Sequence, residues 1–251
     1  ENLYAEFKEK EGELVFGVVQ RIEGGNVVID LERIEGIIPR SEQVPKESYT
    51  RGEPFKCYVL RVDQTPRGPL IILSRTHPGL VARLFEAEVP EIEEGLVRIV
   101  GIVREPGERS KVAVLATEEN IDPVGTFVGI KGSRVQAVVR ELRGEKIDIL
   151  EWSPDPATFV ANALSPAKVS RVIIDDEARI ARVIVPDDQL SLAIGKRGQN
   201  ARLAAKLTGW KIDIKSESQM KEGGLKELIA KALFKDEETL EVEKMEEVDP
   251  K

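Results

Sequence analysis

Val128-Gly129-Ile130-Lys131-Gly132 and, 66 residues further on, Ile194-Gly195-Lys196-Arg197-Gly198 are two copies of one motif. A helical stretch follows each copy, and then the same strand: Lys146-Ile147-Asp148-Ile149 in the first, Lys211-Ile212-Asp213-Ile214 in the second. Glycine at both ends of a four-residue loop lets the backbone approach another chain's sugar-phosphate with no Cβ in the way. A helix beginning at the loop's end offers unpaired N–H groups to a phosphate. A lone GxxG is a weak signal. Duplication, a helix on either side and basic residues inside the loop point together to single-stranded RNA rather than to a catalytic centre.

Working outward, the first copy reads as a helix over 78–92, with Leu80, Val81, Leu84 and Phe85 at helical spacing, then strands over 96–104 and 111–117 joined by Glu105-Pro106-Gly107-Glu108. Asp122 and Pro123 make a cap with proline at the first helical position. After the loop, Val135, Val138, Val139 and Leu142 bury one helix face, Gly144 ends the helix, and Ile147 and Ile149 alternate as a strand. The second copy repeats the order: a helix over 156–164, strands over 169–175 and 179–185, and a helix capped by Asp187 or Asp188 and carrying Leu190, Ala193 and Ile194. An offset of 66 maps Val135, Val138 and Val139 onto Ala201, Ala204 and Ala205; it falls to 65 after the helix, taking Gly144 to Gly209. The copies abut at residues 152–155 without a flexible linker, so they are expected to pack as a rigid pair.

Upstream, five short strands (14–19, 27–31, 36–38, 55–62, 70–73) with turns at Gly24-Gly25-Asn26 and Thr65-Pro66-Arg67-Gly68-Pro69 predict a small barrel of the OB type, with an SH3-like barrel as the alternative. The expected organisation is therefore the end of a connecting helix over 1–10, the barrel over 11–76, the two repeat units over 77–153 and 154–217, and a last segment over 218–251. In that segment Leu225, Leu228, Ile229, Ala232 and Leu233 predict a short amphipathic helix after Gly223 and Gly224, docked on the second unit, with an acidic tail beyond it.

The net charge of −8 argues against holding nucleic acid by bulk electrostatics. Eleven of the 45 acidic and six of the 37 basic residues lie after Lys215, so the body of the chain stands near −3. Its cations gather at the loops: Lys131 and Arg134, then Lys196, Arg197, Arg202 and Lys206. Such a local basic face suffices for RNA. The single cysteine, Cys57, sits in an apolar run and makes no internal disulfide, which fits a reducing cytoplasm. No apolar run approaches the ~20 residues of a membrane span, and no secretory signal pattern opens the chain. The one histidine, His77, lies before Pro78 and is expected at the surface. The stretch 125–133 has Ile130 where a phosphate-binding P-loop needs glycine. The pair Asp187 and Asp188 reads as helix capping rather than acid chemistry or a magnesium site. Neither a catalytic activity nor a metal or cofactor is expected.

The expected RNA-contacting residues are Gly129, Ile130, Lys131, Gly132, Ser133 and Arg134 in the first copy. In the second they are Gly195, Lys196, Arg197, Gly198, Gln199, Asn200 and Arg202. Ile130, Val135 and Ile173 or Val183 are expected to line an adjacent apolar groove, although these positions suit a core equally well.

Four stretches following the small barrel carry a resemblance: IDPVG (121–125), GSRVQAVV (132–139), GEKIDI (144–149) and PDDQLSLAIGKRGQNARLAAKLTGWKIDI (186–214). Over about residues 1–216 the chain resembles the bacterial NusA family of transcription factors. The resemblance implies a multidomain α+β chain, an S1-type OB barrel followed by two tandem type II KH domains, that binds nascent RNA while riding on RNA polymerase. It implies roles in pausing, termination at RNA hairpins and antitermination, in a cytoplasmic monomer with other Nus factors as further candidate partners. The family's N-terminal polymerase-binding domain has no counterpart in this sequence, which begins at Glu1, so the chain is expected to be the RNA-binding portion alone. One departure concerns the barrel. Where RNA-binding S1 barrels present aromatic residues and a histidine, this chain has Gly24, Val27 and Pro39. Stacking supplies about 1–3 kcal/mol per base, so the barrel is expected to contribute weakly, with Phe16, Arg40, Tyr58 and Arg61 as substitutes. An RNA-binding appendage of an exoribonuclease complex also combines S1 and KH modules but does not account for the second KH unit. A ribosomal component would carry net positive charge.

Overall fold

The computed structural model describes residues 2–246, with side chains described through residue 233, and two compact units divide at Asp155 and Pro156. The first opens with α1 (Leu3–Lys8), capped by Asn2, whose Oδ1 accepts the Ala5 N–H at 3.2 Å. Phe7 from this helix is buried among the core residues of a five-stranded barrel, so the charged opening of the chain belongs to the barrel itself. The strands are β1 (Leu14–Glu23), β2 (Asn26–Asp30), β3 (Glu35–Ile38), β4 (Pro54–Thr65) and β5 (Gly68–Ser74). They close in the ring order β1-β2-β3-β5-β4, antiparallel throughout except where β3 meets β5. That ring is the Greek-key order of an OB barrel and decides against the SH3-like alternative. Alternate residues (Val27 and Ile29; Phe55, Cys57 and Val59; Ile71 and Leu73) point inward, as the two-residue period of a strand requires. Burial pushes the Cys57 thiol up to about 12, so it packs as a small apolar group.

The rest of the first unit runs α2 (Pro78–Glu88), β6 (Val97–Glu105), β7 (Arg109–Ala116), α3 (Pro123–Val128), α4 (Ser133–Glu141) and β8 (Lys146–Glu151). β7 lies at the centre of its sheet, antiparallel to β6 and parallel to β8. The helices bury Leu80, Leu84, Phe85, Phe127, Val138 and Leu142 against Val112 and Val114. α2 stops at Glu88, short of the expected 92, because Pro90 disfavours helical geometry at Val89. His77, expected at the surface, is half-buried and caps α2: Nδ1 accepts the Gly79 N–H at 2.9 Å, and the ring stacks on Tyr58 at 4.3 Å.

Arg75 joins the barrel to α4. Its side chain is 0% exposed. It donates to the Glu47 carboxylate at 2.6 Å, to the Lys56 carbonyl at 2.7 Å, and to the Glu141 carboxylate and carbonyl at 3.1 and 2.9 Å. Glu141 also accepts the Lys56 N–H at 2.8 Å. Burial pushes the Glu47 carboxyl up, and the attraction of Arg75 offsets this only in part. Since Glu141 ends α4 and the first GxxG loop begins it, one helix runs from the loop to the barrel's buried ion pairs.

The second unit repeats the pattern with α5 (Pro156–Ala163), β9 (Arg171–Asp175), β10 (Ile180–Val185), α6 (Leu190–Ile194), α7 (Gln199–Thr208) and β11 (Lys211–Ser216), in sheet order β9-β10-β11. Register repeats as well: Lys111 lies opposite Asp148 and Arg182 opposite Asp213. Three expectations are corrected. α8 (Glu217–Glu246) is one helix that starts before Gly223 and Gly224 rather than after them. The Ser216 Oγ accepts the Gln219 N–H at its start, and a glycine inside a helix costs only about 1 kcal/mol. Leu225, Leu228, Ile229 and Leu233 are exposed rather than docked on the unit; the end of the acidic tail, 247–251, lies outside the described residues. Asp187 serves α8 rather than α6, accepting from both the N–H and the hydroxyl of Ser218. These bonds hold its carboxyl below the usual range.

Candidate nucleic-acid interface

Both GxxG loops adopt one backbone conformation. The first glycine has φ 78° and ψ 171° at Gly129 and φ 80° and ψ 166° at Gly195, a region open essentially to glycine alone. The third residue is left-handed, at φ 55° for Lys131 and 57° for Arg197, and the closing glycines follow at 75° and 72°. A side chain in that conformation costs roughly 1–2 kcal/mol, and both copies accept the cost at the same position. The turns are closed by the Gly129 N–H on the Gly125 carbonyl (3.0 Å) and the Gly195 N–H on the Ser191 carbonyl (2.8 Å). The second and third loop residues therefore project away from the fold. Lys131, Lys196 and Arg197 are exposed, and Ile130 is 85% exposed. Gly132 caps α4 without a side-chain hydrogen bond; the Ser133 N–H turns back to the Ile130 carbonyl, and the amides that follow it in the first turn face the end of the helix where an anion is favoured.

The structure brings Gly129, Ile130, Lys131, Gly132 and Ser133 to one loop tip, and Gly195, Lys196, Arg197, Gly198, Gln199 and Arg202 to the other; the Arg202 guanidinium donates to the Arg197 carbonyl at 3.0 Å. Two expected contact residues stand behind the tips. Arg134 donates to the Glu91 carboxylate at 2.6 and 3.0 Å and to the Thr126 carbonyl at 2.8 Å. The Arg134 hydrogen bonds hold the Glu91 carboxyl below its ordinary range, and Glu91 raises Arg134 in return. Asn200 is 4% exposed, and its Nδ2 donates at 3.0 Å to the carbonyls of Leu164 and Ala193. Of the groove candidates, Ile173 is exposed, Val135 is half-buried against the core, and Val183 is a core residue. Leu192 and Ile194, exposed on the helix entering the second loop, were not anticipated; their signal is apolar character on α6 beyond the inward Ala193. Glu91 was also missed, because only the fold brings it to Arg134.

On the barrel, Phe16 is 61% exposed on β1. Tyr58 is committed to His77, and Arg61 pairs with Asp63 at 3.1 Å. Among the described residues no group of three or more His, Cys, Asp or Glu could hold a metal ion, and no helix is long and apolar enough to cross a membrane.

Comparison with known families matches residues 8–75 to the S1 RNA binding domain, 75–152 to the NusA-like first KH domain and 156–222 to the NusA-like second KH domain. Among similar proteins, the transcription termination/antitermination protein NusA of Halalkalibacterium halodurans is 56% identical over 225 residues, which are 90% of this chain and 59% of that protein. The Bacillus subtilis protein of the same name is 56% identical over 223 residues (89% and 60%), and that of Mycobacterium tuberculosis is 55% identical over 227 residues (87% and 65%). The chain thus spans about three fifths of the length of these relatives. With one barrel and two KH units in this order, and identity above one half across all three, the chain belongs to the NusA family.

Proposed function

We propose that this chain binds single-stranded RNA through both GxxG loops, as the nascent-RNA-reading part of a factor that modulates pausing, termination and antitermination on RNA polymerase in the cytoplasm. The observation that carries the reading is the repetition of one strained loop, with its exposed cations, at the same place in two units. A strained conformation is retained where the surroundings over-determine it, and two independent copies argue for a shared task. Each KH loop clamps about four nucleotides by their backbone. Two loops on one strand multiply their affinities through effective concentration. Lys131, Lys196, Arg197 and Arg202 supply charge, and the closing glycines, Gly132 and Gly198, with the helix amides supply close backbone contact. Ile173, Leu192 and Ile194 offer apolar surface to the bases beside the second loop. The name of the relatives, transcription termination/antitermination protein, supports the wider role. The reading is non-enzymatic and needs no cofactor.

Fluorescence anisotropy with labelled single-stranded RNA tests the reading. Ile130→Asp with Lys131→Asp, or Lys196→Asp with Arg197→Asp, should remove most binding from a folded chain. RNA and ATP incubated with the chain and magnesium should stay intact; turnover that survives repurification would refute the non-enzymatic part.

A further inference from the structure

Position 134 in the first copy and position 200 in the second are equivalent under the 66-residue offset, and both hold their loop from behind. The last carbonyls of α3 and α6 have no intrahelical partner. In each unit the first loop glycine satisfies one of them, Gly125 or Ser191. A further one is satisfied by a side chain: Arg134 donates to the Thr126 carbonyl, one residue past Gly125, at 2.8 Å, and Asn200 to the Ala193 carbonyl, two residues past Ser191, at 3.0 Å. Each side chain also reaches the segment just past the unit's first helix, Glu91 for Arg134 and the Leu164 carbonyl for Asn200. The helix entering the loop, the helix leaving it and the end of the first helix are thereby tied at one point. The first glycine fits this arrangement. A Cβ on Gly129 would lie 2.9 Å from the Arg134 amide nitrogen and 2.7 Å from its Cγ. A Cβ on Gly195 would lie 2.7 Å from the Asn200 amide nitrogen and 2.8 Å from its Cβ. The missing side chain faces inward, onto the residue at 134 or 200, and not toward a ligand.

We propose that Arg134 and Asn200 are equivalent positioning residues, which set the angle at which each GxxG loop presents its amides and exposed cations, and that neither touches the RNA. The inference rests on the loops being the RNA site. The same task is done with different chemistry: an ionic, partly exposed bridge in the first unit and a neutral, buried amide in the second. The buried Asn200 Oδ1 has no hydrogen-bond partner among the described residues, so its donations to two carbonyls are what the amide contributes.

Glu91→Ala in the full chain separates the roles by sign. If Arg134 were an RNA ligand, releasing it from Glu91 would add a free cation at the loop and tighten binding. As a positioning residue it loses its anchor, so binding should weaken about fivefold to tenfold although the chain gains positive charge, with the slope of log affinity against log salt unchanged. Arg134→Lys keeps the charge but not the fork that reaches both Glu91 and Thr126, and should weaken binding similarly. Asn200→Asp sets a carboxylate against two carbonyls and should weaken the second loop by at least as much; if it fails to fold by thermal melting, the first-unit variants still decide. Tighter or unchanged binding in Glu91→Ala, wild-type binding in Arg134→Lys, or a slope reduced by about 0.7 in Arg134→Gln would each overturn the proposal. If the double Asp variants of the loops themselves bind like wild type, it is the RNA-loop reading that fails instead.

Discussion

Replacing Lys196 and Arg197 together with aspartate should separate RNA affinity from fold stability, and the two should not fall together. Both side chains are exposed at the loop tip, and among the described residues neither is shown in an ion pair. For single strands each lost phosphate contact lowers the slope of log affinity against log salt by about 0.7, so two lost contacts predict a slope smaller by about 1.4. At physiological salt, near 0.15 M, that is roughly one log unit relative to 1 M; the loss is therefore about tenfold from missing attraction alone, with repulsion by the new carboxylates added. Stability should move the other way or stay put. Arg197 is left-handed at φ 57°, a conformation aspartate tolerates better than most residues. A carboxylate beside the start of α7 gains about 0.3–1 kcal/mol from the helix dipole. Anisotropy across a salt series, with thermal melts of the same samples, reads both quantities. A folded variant that binds as tightly as the parent, with the parental salt slope, refutes the assignment of phosphate contact to this loop.

Arg75→Met should destabilise the first unit by about 3–5 kcal/mol, because it strands the buried Glu47 carboxylate and two carbonyls. In that variant the Glu47 carboxyl titrates above its unfolded value, so the deficit should shrink at pH 5 and grow toward pH 8 in urea denaturation, and Glu47→Gln should relieve it. The Glu91–Arg134 bridge has the opposite sign. Glu91 is held low in the fold, so its contribution is present above the ordinary carboxylate range and is lost as pH falls through the depressed value; an NMR titration that finds Glu91 at or above an ordinary glutamate contradicts the bridge. Phe16→Ala should change RNA affinity less than twofold, since a single exposed ring is a poor stacking platform; a loss of tenfold or more would restore the barrel as a principal contact surface.

The fold was legible where the signal was local and periodic. Alternation in the barrel strands, the i, i+3, i+7 stripe of Val135, Val138 and Leu142, and the glycine at each turn carry their own geometry, and the duplicated loop supplied an internal check that one motif alone lacks. What the sequence left dark were pairings that only the folded chain creates. Arg134 and Asn200 read as part of a basic, polar loop because they follow it directly, yet their partners lie 43 and 36 residues away, at Glu91 and Leu164. Arg75 and Glu141 are charged residues that composition assigns to the surface, and 66 residues separate a pair that the fold buries. α8 was misread for the reverse reason: Gly223-Gly224 is a strong local stop signal. The capping by Ser216 and the bonds of Asp187 to Ser218, 31 residues apart, place the helix start before it. In the loops the same division has a functional edge. Sequence identifies which residues can reach a phosphate, but whether a cation is free to do so depends on whether a distant carboxylate already holds it, and in the first unit Glu91 takes Arg134 and leaves Lys131 at the tip.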